Sequence, residues 1–357
     1  MLRALTTSLL LLTTVCLHAQ ETAWALGVRG GYGYLIAHHD NLKRMVAGHI
    51  PSAEVFLERK LDHKGWHMRY GKPSWGIGFW AADLRADELG NGFRLTPYLS
   101  LPLAQDEHQA LHLRFGWGIG YITRPFNRED NYKGQAIGSY VNVNMPLGLE
   151  YTRRIGRTVI GAGLCIEHQS NGAFKVPNLG VNIPSVQLVV KHDVGQLEER
   201  DTTVFVCGGI AINPDRLVAY ATVGLKETFP VSSGKHSCLA VVIGYQFHSF
   251  RKVSWEAGLD YFRNGALEQR ADRLGLEAPS AWGQLGIHGG PVLVLGRMSL
   301  LLHAGVYVAN SFEDDGLIFN RLGLRHQLGR HWLVNFTLKT HLATADHFEL
   351  GFGYRIR

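Results

Sequence analysis

Residues 111–121 place a large apolar side chain at every second position (Leu111, Leu113, Phe115, Trp117, Ile119, Tyr121) and set His112, Arg114, Gly116, Gly118 and Gly120 between them. Side chains of a strand point alternately to opposite faces, so this pattern makes one face of a sheet apolar and leaves the other small or polar. The same period of two recurs over 141–151, 239–247, 253–261, 300–308 and 332–342. A soluble β-sandwich also alternates, but it turns bulky apolar residues inward and polar ones outward. Here the second row is largely Gly, His, Asn and Arg, which cannot build a dry core and suits a wet lumen. The expected fold is therefore all-β, an antiparallel transmembrane β-barrel whose apolar rows face lipid.

About seventeen segments of roughly ten residues qualify as strands; a barrel with both ends on one side of the membrane needs an even number, so roughly 12–16 strands are expected. At the end of the chain Phe348, Leu350, Phe352, Tyr354 and Ile356 alternate with His347, Glu349, Gly351, Gly353 and Arg355, like the terminal strand by which outer-membrane barrels are recognised for assembly. Composition agrees: 42 glycines and only 18% charged residues accompany 8 tryptophans, 13 tyrosines and 16 phenylalanines. Trp117, Tyr121, Tyr245, Phe247, Tyr261 and Trp332 lie toward segment ends, where interfacial girdles belong. Short turns such as 153–157 alternate, in the first half, with longer polar loops such as 124–136. If the short turns are periplasmic, the strand beginning at Thr158 runs outward. Residues 264–279 break the period and read as a loop insertion with a short helix, Leu267, Leu274 and Leu276 on one side. No composition shift marks a second domain.

Ahead of the strands, Arg3 and a mostly apolar run over 5–17, too short to span a bilayer, read as a signal peptide ending near Ala19. The expected organisation is a signal peptide over 1–19 and a barrel over 20–357, placed in the outer membrane of a Gram-negative cell. No later stretch is apolar for long enough to form a membrane-spanning helix. Cys165, Cys207 and Cys238 form an odd set without CxxC spacing, which points to neither a disulfide framework nor a zinc site. Net charge is +6 with the basic residues scattered, so nucleic acid is not an expected partner.

Chemistry concentrates in residues 158–194. Ile160, Ala162, Leu164 and Ile166 form one row, continued by His168 and Ser170, while Val159, Gly161, Gly163, Cys165, Glu167 and Gln169 form the other. The apolar row should face lipid, which puts His168 and Ser170 on the outer wall at its end. A serine hydroxyl is a poor nucleophile until a neighbouring imidazole takes its proton. Residues i and i+2 on a strand share a face with roots roughly 6–7 Å apart, so this pair can converge. Of 18 histidines, only His168 has a serine two positions later.

The pattern His168-x-Ser170-Asn171-Gly172, followed by Pro177-Asn178-x-Gly180 and a polar residue at 182, resembles the lipid A 3-O-deacylase (PagL-type) and acyloxyacyl hydrolase family of outer-membrane β-barrels. That resemblance implies Ser170 as nucleophile and His168 as its general base. It implies an ester-linked acyl chain of lipid A as substrate, and oxyanion stabilisation by Asn171, Gly172 and Asn178. The sequence departs from the family at Asn182, where deacylases of this type carry a glutamate. A His-x-Ser-Asn-Gly motif followed at this spacing by asparagine is similar instead to outer-membrane phospholipase A, in which the asparagine orients the histidine. An amide oxygen accepts the imidazole hydrogen bond but brings no carboxylate charge to the imidazolium.

The reading is thus a Ser-His-Asn ester hydrolase acting on lipid A, with no metal and no cofactor. The alternatives are a phospholipase A acting on glycerophospholipids, for which calcium is a candidate cofactor, and a barrel or porin without catalysis. A homodimer is left open. The bland reading of His168 and Ser170 is a polar girdle at a strand end, and Asn-Gly and Pro-Asn-x-Gly are also good turn sequences. Glu167 belongs by parity to the lumen, and Asp193 is a reserve for the third group. His38-His39-Asp40 reads as a solvated loop, since adjacent histidines on an extended chain point apart. Asp314-Asp315 and Glu198-Glu199 are short acidic turns.

Overall fold

A computed structural model describes residues 24–62, 65–194, 215–250, 252–275, 283–310, 316–342 and 344–356. The signal peptide expected over 1–19, Cys207, Leu276 and the acidic pairs at 198–199 and 314–315 lie outside the described residues. Among the described residues seventeen strands form, all paired antiparallel, and they belong to two closed sheets.

The first sheet contains β1 (Trp24–Tyr34), β2 (His49–Lys60), β3 (Ser74–Asp83), β4 (Asn91–Gln105), β5 (Gln109–Gly116), β6 (Gly118–Ile122), β7 (Val141–Ile155), β8 (Thr158–Ser170) and β9 (Val181–Val194). Its order is β3-β2-β1-β9-β8-β7-β5-β4-β6, and β3 also pairs with β4, which closes the ring. Both β5 and β6 pair with β4 on one side and β7 on the other, so they are one strand interrupted at Trp117. This removes the parity conflict in the sequence: an odd number of strands fills an even number of positions.

The second sheet is a closed barrel of β10 (Arg216–Lys226), β11 (His236–Phe250), β12 (Val253–Asn264), β13 (Gly283–Leu295), β14 (Met298–Asn310), β15 (Ile318–Leu328), β16 (Trp332–His341) and β17 (Thr344–Arg355). Pairing of β10 with β17 joins its ends. The all-β antiparallel barrel architecture read from the alternation is what the chain forms. Its strands are divided between two rings, a division that a period of two does not encode, because every strand of either ring alternates in the same way.

Burial follows the two rows in each ring. In β9, Val186, Leu188 and Val190 are exposed, while Ser185, Gln187 and Val189 are buried. The lumen of the first ring is ionic: Arg29 reaches Glu150 at 2.8 Å and Glu54 at 3.2 Å, Arg114 reaches Glu54 at 3.1 Å, and Lys191 reaches Glu58 at 2.6 Å. Buried charges require such partners, whereas the exposed rows of Leu, Val, Ile and Phe require a solvent without hydrogen bonds to offer. No helix among the described residues is long and apolar enough to cross a membrane.

The helix expected in the 264–279 insertion spans Gly265–Arg273, capped by the Asn264 side chain, which accepts from the Ala266 amide at 3.1 Å. Leu267 is buried as expected, but Leu274 is the exposed C-cap residue.

Leu188 sits in the middle of β9 and is 67% exposed. Leu188→Arg is expected to destabilise the folded protein by about 2–4 kcal/mol, against about 0–1 for Val194→Arg at the strand end. Denaturant unfolding in phospholipid bilayers checks this, and equal costs at the two positions would contradict the lipid-facing assignment of the row.

Candidate active site

Strand β8 carries His168 and Ser170 on the row that begins with Ile160, Ala162, Leu164 and Ile166. Exposure falls along that row, from 64% at Leu164 to 1% at Ser170, with His168 half-buried. The outward parity expected from the sequence is kept, but the row ends in a covered hydroxyl and not an open one.

Register decides which residue can orient the imidazole. In the β8–β9 ladder His168 lies directly opposite Asn182. His168 Nδ1 and Asn182 Oδ1 are 2.6 Å apart. An amide oxygen only accepts, so Nδ1 carries the proton and the bond holds the ring in the tautomer that leaves Nε2 with its lone pair. Glu167, one residue away, is in the lumen and paired with Arg94 at 3.1 Å. Asp193 stands near the opposite end of β9, paired with Arg154. Neither carboxylate meets His168, because one faces away and the other is a strand length distant.

His38 enters from a segment that the sequence reading had set aside. Beyond β1 the Ile36 amide donates to the Asn182 carbonyl at 2.9 Å, extending the pairing past the strand end. This brings His38 Nδ1 to 3.4 Å from Asn182 Nδ2 and 3.2 Å from the Ile36 carbonyl, so a second imidazole stands beside the amide that holds His168. His38, His39 and Asp40 are exposed as a solvated loop should be, with Asp40 paired to Lys43 at 2.7 Å, but the two histidine rings lie 4.9 Å from each other and do not point apart.

Segment 170–180 is knotted by side-chain amides. The Asn171 amide donates to Asn178 Oδ1 at 2.9 Å, and Asn171 Nδ2 donates both to Ser139 Oγ and to the Lys175 carbonyl at 2.8 Å. The donors of Asn171 expected to face an oxyanion are thus spent on the loop itself. Asn178 differs: its Nδ2 is buried with no hydrogen-bond partner among the described residues. Gly172 has φ +59°, and a Cβ there would lie 2.5 Å from the ring of Phe348. The turn therefore needs glycine on both conformational and steric grounds. The same segment is tied further on, where the Glu227 amide donates to the Ala173 carbonyl at 2.8 Å and the Lys235 ammonium lies 4.5 Å from the Phe174 ring centre.

Ser139 and His38 are the members that sequence reasoning missed. Ser139 had no signal at all, since a lone serine in a polar loop is ordinary. His38 was visible as half of a histidine pair, but only the register of β1 against β9 reveals its neighbour.

The arrangement can be set beside known proteins. Residues 52–191 match the family model described as lipid A 3-O-deacylase (PagL), and residues 215–357 match the one described as acyloxyacyl hydrolase, C-terminal domain. No curated protein sequence matches the chain. Among solved structures it is similar to the outer membrane enzyme PagL, at 19% identity over 46% of this chain and 98% of that one, with a TM-score of 0.33. It is also similar to the translocator domain of autotransporter NalP from Neisseria meningitidis, at 9% identity over 99% and 95% of the two chains and a TM-score of 0.22. A mutant Rh. blastica porin gives 11% identity over 93% and 99% and a TM-score of 0.20. With one family model on the residues that supply most of the first ring and the other on those of the second, the chain belongs to the lipid A 3-O-deacylase (PagL) and acyloxyacyl hydrolase family.

Proposed function

We propose that the protein is an outer-membrane ester hydrolase that removes an acyl chain from lipid A, with Ser170 as nucleophile, His168 as general base and Asn182 as the group that orients His168. The observation that carries this reading is the 2.6 Å contact between His168 Nδ1 and Asn182 Oδ1, on the lipid-side row of the strand that ends in Ser170. With Nδ1 committed, Nε2 takes the proton of the Ser170 hydroxyl as it attacks the acyl carbonyl, then returns it to the departing sugar oxygen. Water repeats the exchange to release the fatty acid. Asn178 Nδ2, a buried donor with nothing to bond, is the group that stabilises the tetrahedral oxyanion; Asn171 and Gly172 shape the turn that presents it.

A site on the outer wall lets an acyl chain react without leaving the bilayer. Because Ser170 is so closely covered, productive binding requires the segment that follows it to yield. Asn182 in place of a carboxylate favours a second reading, a phospholipase A. Purified protein in mixed vesicles of lipid A and glycerophospholipid distinguishes the two by mass spectrometry. The expected product is lipid A lighter by one acyl chain with the phospholipid intact, in the presence of chelator. Lysophospholipid formed only with calcium would establish the second reading, and no cleavage of either would overturn both.

A further inference from the structure

The lumen of the second ring holds a cluster for which ester hydrolysis has no use. Glu256 on β12, His288 on β13 and His303 on β14 occupy three neighbouring strands, and each is diagonal to the next across the ladder. They are 1%, 5% and 3% exposed. One ligating atom from each lies within 4.8 Å of the others. Gly258 and Gly305 stand opposite His288 on either side and leave room for its ring; a Cβ on Gly258 would lie 2.6 Å from His288 Cε1.

Buried imidazole nitrogens without hydrogen-bond partners among the described residues are what single the cluster out. His288 Nδ1–H donates to Asp260, whose other oxygen is held by Arg321 at 2.7 Å. His288 Nε2 faces Glu256 Oε1 at 3.8 Å. The gap is too wide for a hydrogen bond and only a little wider than the roughly 3.3–3.6 Å between neighbouring ligands of a tetrahedral zinc site with ligand lengths of about 2.0–2.2 Å. His303, stacked on His288 with ring centres 4.8 Å apart, has no hydrogen-bond partner for either nitrogen among the described residues, and neither has His288 Nε2. All three imidazole nitrogens are buried, and the surrounding carboxylates already have their arginines: Glu256 is held by Arg325 at 2.6 and 3.0 Å.

We propose that Glu256, His288 and His303 bind one divalent transition-metal ion of the zinc class inside the second barrel. Two imidazoles and a carboxylate suit zinc or cobalt and not calcium or magnesium, which take oxygen ligands. Asp260 behind His288 fixes the tautomer and ring direction, and Arg325 fixes the Glu256 carboxylate, as outer partners of metal ligands do. Tetrahedral spacing requires the side chains to close by about 1 Å. The ion would join three strands through their side chains, independently of Ser170 and of the hydrolase reading.

Full-length protein, refolded in detergent after metal removal, is titrated with Co²⁺ and followed by its visible d–d absorption, then by displacement with Zn²⁺. One equivalent with the strong bands of a tetrahedral site is expected. Asp260→Asn should weaken binding about 10–100-fold. His303→Phe is the decisive variant: His303 makes no hydrogen bond that the ring substitution removes, so the barrel should fold, as heat-modifiable mobility verifies, yet lose the cobalt spectrum. Ser170→Ala should bind as wild type. Absence of stoichiometric uptake by folded wild-type protein, or the same spectrum in His303→Phe, would overturn the proposal.

Discussion

Ser170→Ala is expected to lower the rate of lipid A deacylation by about 10⁴- to 10⁶-fold while leaving the barrel folded. The magnitude follows from the way nucleophile and base act as one unit: without the hydroxyl there is nothing for His168 to activate. His168→Ala should cost nearly as much, and the double variant hardly more than either alone, because the second loss removes a group that the first has already idled. Asn182→Ala should cost less than either. It removes the bond at His168 Nδ1 but leaves an imidazole that still visits the productive orientation. Single-turnover rates from mass spectrometry of the released fatty acid check the series. A Ser170→Ala protein with a rate within threefold of wild type would dispose of the nucleophile assignment.

Arg321→Met should destabilise the second barrel by about 3–5 kcal/mol, the usual consequence of leaving buried carboxylates without their cation. Arg321 is fully buried and binds Glu349 at 2.6 and 3.2 Å and Asp260 at 2.7 Å. Thr337 adds a bond to Glu349 at 2.7 Å, so the pair sits inside a satisfied network and not at a wet edge. Methionine fills similar volume, so the loss isolates charge from packing. Adding Glu349→Gln to Arg321→Met should recover part of the loss, since one stranded charge is then removed. Denaturant-induced loss of heat-modifiable mobility measures it, and an unchanged midpoint in the single variant would show that the lumen is wet enough to solvate the carboxylates.

Much of the molecule is legible before any coordinates. The row Ile160, Ala162, Leu164, Ile166 against Val159, Gly161, Gly163, Cys165 declares a strand with one lipid face, because a two-residue period has a single structural meaning and a Gly-rich second row cannot be a core. The same parity assigns Glu167 to the lumen, where it meets Arg94. His168 and Ser170 were visible as a pair because the strand itself brings residues two apart onto one face.

What the sequence could not settle is everything that depends on which strand lies next to which. Nothing in the alternation says that β3 closes on β4 and β10 on β17, making two rings where the pattern alone suggests one. Only the β8–β9 register places Asn182 opposite His168, and only the continuation of β1 along β9 carries His38 to the back of that amide. Glu256, His288 and His303 are 32 and 15 residues apart in the chain and meet through successive ladders. Side-chain direction is a local property, set by neighbouring φ and ψ. Partnership across a sheet is set by closure and register, which are decided by all the strands together.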